Sequence, residues 1–122
     1  MGIGLRALVL ASALVASPAM ADEQQFDLIC NFGKTPIRYR IDAAIGQACE
    51  QDCSRIWKMG PVTSGDMTLM DTTGTPGEVQ QTIVINRLTG KLRHWIRGLD
   101  GPLTEEATCS AAPFSGFPPA KF

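Results

Sequence analysis

The chain of 122 residues predicts a mainly β fold: a small antiparallel barrel or sandwich of about six short strands, with a disulfide-pinned irregular loop and an extended Pro/Phe-rich C-terminal tail. Three observations predict it. Apolar and polar residues alternate with period two in several short runs, Gly, Pro, Asn and Asp interrupt those runs at close spacing, and no long amphipathic helical pattern is present. No internal repeat is visible.

Residues 1–21 read as a cleaved signal peptide. Arg6 supplies the positive start, Ala7 to Ala16 the short apolar run, and Ala19-Met20-Ala21 the small-x-small cleavage site. The run is too short for an anchor, no cysteine follows the cleavage point to carry a lipid, and twin arginines are absent. Residues 22–122 are then one small β domain, exported to a periplasm or secreted. In that compartment Cys30, Cys49, Cys53 and Cys109 pair rather than stay reduced.

Phe26, Leu28, Cys30 and Phe32 alternate with polar neighbours, as do Ile37, Tyr39 and Ile41, around a Gly33-Lys34-Thr35-Pro36 break, so a β-hairpin is expected. Ala43 to Met59 loses the alternation, and Cys49 and Cys53 suggest a loop containing a helical turn. Val62-Thr63 and Asp66 to Asp71 are short extended pieces, and Thr72 to Glu78 is a turn-rich connection. Val79 to Asn86 and Lys91 to Arg97 form the clearest hairpin, because Asn86 can bond the turn backbone and Gly90 can adopt the left-handed conformation that closes it. Leu103 to Cys109 supplies a last strand. The tail from Ser110 to Phe122 contains Pro113, Pro118 and Pro119 and so is expected outside the sheet, with Phe114, Phe117 and Phe122 lying over an open end of it.

Four cysteines allow three connectivities. Pairing Cys30 with Cys109 joins the first and last strands, and pairing Cys49 with Cys53 pins the irregular loop. A spacing of four in a helical turn puts the Cα atoms about 6 Å apart, near the upper end of the disulfide range, so that bridge favours a non-helical loop. A zinc site would bring cysteines in two close pairs, and a thioredoxin-like centre would have two residues between its cysteines; neither pattern is present.

The formal net charge of −1 selects no polyanionic partner, so no nucleic acid is expected, and no stretch after Ala21 is long and apolar enough to span a bilayer. His94 is the only histidine, which rules out a two-histidine metal site within one chain. Across a four-residue turn Ile85 faces Leu92, Ile83 faces His94 and Gln81 faces Ile96, putting His94 on the apolar face as a packed, hydrogen-bonded residue. Arg93, Trp95 and Arg97 then share the other face with Gln80, Thr82 and Val84. Such a stripe can stack on a sugar ring or hold an anionic group, although the arginine stems can also simply cover the indole. Adjacent Glu105 and Glu106 point to opposite faces of a strand and form no carboxylate pair. Asp66, Asp71, Ser54 and Ser64 match no nucleophile elbow, phosphate loop or calcium loop.

The expectation is therefore a non-enzymatic exported bacterial binding module without cofactor, metal ligand or assigned catalytic residue. Its candidate surface is Arg93, Trp95 and Arg97, and its candidate targets are an envelope glycan, an anionic group or a protein. The alternatives are an accessory envelope protein that joins an assembly by strand or tail contacts and, more remotely, a small periplasmic hydrolase using His94 and carboxylates.

Overall fold

Alternation puts Leu28, Tyr39, Ile41, Ile83, Ile85 and Leu92 on one surface of their strands, and burying that surface curls the sheet round on itself. The structure, a computed structural model, describes residues 24–119; the signal-peptide segment 1–21 and Phe122 lie outside the described residues. Eight strands form one antiparallel sheet: β1 (Gln25–Asn31), β2 (Ile37–Asp42), β3 (Gln47–Glu50), β4 (Trp57–Lys58), β5 (Asp66–Asp71), β6 (Gln81–Asn86), β7 (Lys91–Gly98) and β8 (Gly101–Ala112). Their spatial order is β4-β3-β2-β1-β8-β7-β6-β5. Every neighbour in space is thus a neighbour in sequence except β1 and β8, which bring the two ends of the domain together.

The sheet is nearly closed into an up-and-down barrel. After β4 the chain bonds across to β5, with Gly60 N donating to Thr68 O at 3.1 Å and Thr68 N donating to Pro61 O at 3.0 Å. A Cβ on Gly60 would sit 2.8 Å from Thr68 Cγ2, so this crossing is as close as it is because the residue has no side chain. An eight-stranded barrel is just wide enough for side chains to fill it. Met67, Leu69, Ile83, Leu92 and Tyr39 fill the middle here. Among the described residues no helix is long and apolar enough to cross a membrane.

Eight strands replace the six expected, and the difference lies between Ala43 and Met59. β3 has four residues and β4 two, too few for a period of two to emerge from the sequence. No helical turn forms there. Gln51 and Cys53 instead take left-handed backbone at φ 56° and 58°, Cys53 N donates to Glu50 O at 3.0 Å, and Cys49 and Cys53 are joined with Cα atoms 5.1 Å apart. Trp57 of β4 anchors this loop, its ring 6.2 Å from that of Tyr39. Val62 makes only an isolated bridge to Met67.

The last strand is longer than its sequence suggested. β8 continues through Ser110 to Ala112, pairing with Ile29, Leu28 and Asp27, and stops where Pro113 brings no N–H to the ladder. The disulfide between Cys30 and Cys109, cross-strand neighbours with Cα atoms 4.0 Å apart, staples this closing pair. The tail then lies along the outer face of β1 and β2 rather than over an open end. Ser115 N donates to Asp27 Oδ1 at 3.2 Å and Arg40 Nη1 donates to Gly116 O at 2.9 Å, while Phe114 and Phe117 meet edge to face at 5.4 Å. This cover buries the Asp27 carboxylate completely, and Arg38 Nη1 supplies its counter-charge.

Candidate functional site

The hairpin of β6 and β7 has the expected register, Ile85 opposite Leu92, Ile83 opposite His94 and Gln81 opposite Ile96. Its turn is held by Asn86 Oδ1, which accepts from Leu88 N at 2.9 Å and Thr89 N at 3.0 Å, and by Gly90 at φ 75°. A Cβ on Gly90 would lie 2.9 Å from Cys109 O, so the turn needs both the positive φ and the bare backbone. Arg93, Trp95 and Arg97 consequently point away from the barrel.

On that outer face Trp95 lies between Thr82 of β6 and Thr104 of β8, and Arg93 between Val84 and Glu106. Arg93 Nη2 sits 3.4 Å from Glu106 Oε2, both side chains being about two-thirds exposed (68% and 63%). A shallow dish of about 740 Å³ runs across these strands, with Thr82, Val84, Arg93, Trp95, Glu106 and Asn86 in its lining. Arg97, opposite Pro102 near the end of the hairpin, is not in the lining. The structure thus brings Arg93 and Trp95 together and leaves Arg97 to one side.

The inner face of the same strands leads to a second site. Glu105 lies opposite His94, as Glu50 lies opposite Tyr39. These four side chains, with Phe32 and Ile37, line a recess of about 490 Å³ at the barrel mouth beneath the β1–β2 turn and the Cys49–Cys53 loop. His94 Nε2 is 2.9 Å from Gln81 Oε1, and Nδ1 is 3.9 Å from Glu105 Oε1. Burial lowers the His94 pKa, with the Glu105 carboxylate acting the other way. Burial raises the Glu50 carboxyl, and it raises the Tyr39 phenol, with the charges of Glu50 and Glu105 adding to that rise.

His94 is therefore packed and hydrogen-bonded as the alternation implied, and Glu105 and Glu106 do face opposite ways. The grouping of Tyr39, Glu50, His94 and Glu105 was not visible in the sequence. The one signal that pointed to it is the register of β7 against β8, which the expected strand from Leu103 to Cys109 did not by itself fix. Among the described residues no group of three or more His, Cys, Asp or Glu side chains is placed to hold a metal ion. No protein-family model, curated protein or solved structure matches the chain.

Proposed function

We propose that the protein is a non-enzymatic bacterial envelope module, periplasmic or secreted, that binds a glycan on the outer face of β6, β7 and β8. The observation that carries this is a half-buried indole, Trp95, in a dish where hydroxyl, amide, carboxylate, ammonium and guanidinium groups stand beside the apolar Val84 and Leu92. An indole face offers a sugar ring a flat apolar surface, and the groups around it offer its hydroxyls both donors and acceptors. The Arg93–Glu106 pair favours a sugar over a bare anion. A guanidinium already facing a carboxylate attracts a second anion weakly, whereas the pair together presents a donor and an acceptor to a neutral polyol.

The test is co-sedimentation of the mature protein with purified cell-wall sacculi, with heparin as the anionic control. Trp95→Ala should weaken sedimentation with sacculi at least about tenfold, equivalent to about 1.4 kcal/mol, with an unchanged melting temperature, and retention should survive 0.5 M salt because stacking is not screened (Debye length below about 8 Å). Preferential heparin binding that salt abolishes would replace the glycan by an anionic target. Equal loss of stability in Trp95→Ala would make the indole structural.

The accessory-protein alternative by strand addition draws on the β4–β5 seam alone, since a nearly closed barrel offers little other edge to pair with. The hydrolase alternative draws on the polar mouth, but the free ring nitrogen of His94 faces the Glu105 carboxylate rather than a nucleophile.

A further inference from the structure

We infer that the polar mouth of the barrel is a second binding site, for a protonated amine or guanidinium carried on a short apolar stem. The recess is concave, about 490 Å³, large enough for a group the size of a lysine or arginine side chain. Its polar lining sets two carboxylates beside Tyr39, His94, Thr35, Gln51 and a single cation, Lys34. Glu50 and Glu105 contribute carboxylates, and neither has an ion-pair partner among the basic side chains of the described residues other than the distant contact of Glu105 with His94. The Tyr39 oxygen is a further acceptor; the residue is only 1% exposed, and among the described residues its phenol has no hydrogen-bond partner.

His94 completes the set. Its Nε2 lies 2.9 Å from the side-chain amide oxygen Oε1 of Gln81; in the tautomer that this amide orientation favours, Nε2 donates and Nδ1 of the neutral ring is a lone pair. That lone pair faces Glu105 Oε1 across 3.9 Å. Two acceptors at that distance do not bond each other. An N–H donor entering the recess can bond both.

A polyvalent donor cation matches the two carboxylates that no ion pair neutralises. An ammonium brings three N–H groups and a guanidinium five, with positive charge for the two carboxylates. Phe32 and Ile37 give the stem an apolar wall, and the rings of Phe32 and Tyr39 can face the charge. Lys34 at the rim makes no ion pair within 4.0 Å in the described residues and is the one like charge a ligand would pass. The raised Glu50 and Tyr39 groups fit this picture, since a bound cation would offset the burial that disfavours their charged forms. A free alkylamine and a basic side chain projecting from a protein share this chemistry, and the two sources are separable by experiment.

The experiment is titration of the mature protein, followed by the NMR signals of the His94 ring, with n-butylammonium, methylguanidinium, n-butyrate and n-butanol, and with a tetrapeptide containing one lysine. The expected result is saturable movement of the His94 signals by the two cations, none by butyrate or butanol, and at least about tenfold weaker binding in the double variant Glu50→Gln with Glu105→Gln. Tighter binding of the peptide than of butylammonium assigns the site to a protein side chain, and the reverse assigns it to a free amine. Should the double variant fold poorly, Glu105→Gln alone, at a half-exposed position, reads the same loss. Equal response to butyrate, or cation binding untouched by either variant, overturns the inference. Trp95→Ala leaves this titration unchanged, so its outcome is independent of the glycan experiment.

Discussion

The two mouths of the barrel share only β8 among the strands that line them, and their chemistry is opposite. At the end where β6 turns into β7, Phe26, Leu28, Met67, Ile85 and Ala111 line an apolar recess of about 230 Å³. At the end where β7 turns into β8, Tyr39, Glu50, His94 and Glu105 line a recess of about 490 Å³. The inward rows of β6, β7 and β8 change character along the strand: Ile85 and Ile83 give way to Gln81, Leu92 to His94, and Ala107 to Glu105. A row of apolar residues throughout would bury more surface and stabilise more. β3, β6, β7 and β8 instead place Glu50, Gln81, His94 and Glu105 at one end, where β2 keeps the apolar Ile37.

The largest effect expected is on the seam that holds both mouths in one barrel. Cys30 lies opposite Ile37 of the polar end, and Cys109 lines the apolar recess, so their bridge ties the two together. It closes a loop with a sequence separation of 79, for which the chain-entropy estimate is about 4.5 kcal/mol, against about 2 kcal/mol for the separation of four between Cys49 and Cys53. Replacing Cys30 and Cys109 by serine should lower the urea midpoint by the larger amount and release both ends together. Replacing Cys49 and Cys53 should cost the smaller amount and loosen the polar rim alone. Equal losses would show that the β1–β8 ladder closes the barrel without its staple.

Substitutions at either end sharpen the contrast next. Ile85 is 4% exposed, and Ile85→Ala should destabilise by about 2–5 kcal/mol through lost transfer energy and the cavity left behind. Glu50→Gln removes a carboxylate whose burial disfavours its charge, so at neutral pH it should leave the urea midpoint unchanged or raise it. If Glu50→Gln were as costly as Ile85→Ala, the polar mouth would be structural rather than reserved for a ligand.

Much of the wall of this barrel was legible, and the mouth was not, for a physical reason. Asn86 and Gly90 with regular alternation on both sides specify a hairpin locally, so β6, β7 and the inward and outward rows of Arg93, His94 and Trp95 follow from the sequence. The pairing of β1 with β8 is non-local, yet Cys30 and Cys109 on opposite ends of the domain point to it. β3 and β4 are held by their neighbours rather than by their own pattern, and the left-handed residues Gln51 and Cys53 carry no glycine or asparagine to announce them. Glu50 could not be placed against Tyr39 without β3, and the strand expected from Leu103 to Cys109 did not by itself fix its register against β7. The site therefore became visible only when four strands, one of them cryptic, were assembled.

The smallest predicted effect is the most specific to the polar mouth. His94 has its pKa lowered from 6.5 by burial, so as pH falls through 6.5 the unfolded chain takes up a proton before the folded one does. Stability from this group is present above 6.5 and lost as pH falls toward the folded value, with a slope of no more than about 1.4 kcal/mol per pH unit. Glu50 acts in the opposite sense. Its folded pKa is raised above 4.5, so the folded chain protonates first and regains stability as pH falls. Urea midpoints between pH 7 and pH 5 should therefore decline more steeply in Glu50→Gln than in the wild type, and the decline should flatten in the double variant Glu50→Gln with His94→Gln. Tyr39, Lys34 and Glu105, which share the recess, stay in place in all three chains. An unchanged decline in the double variant would place the titrating group elsewhere and remove His94 from the buried acceptor set on which the mouth's cation chemistry depends.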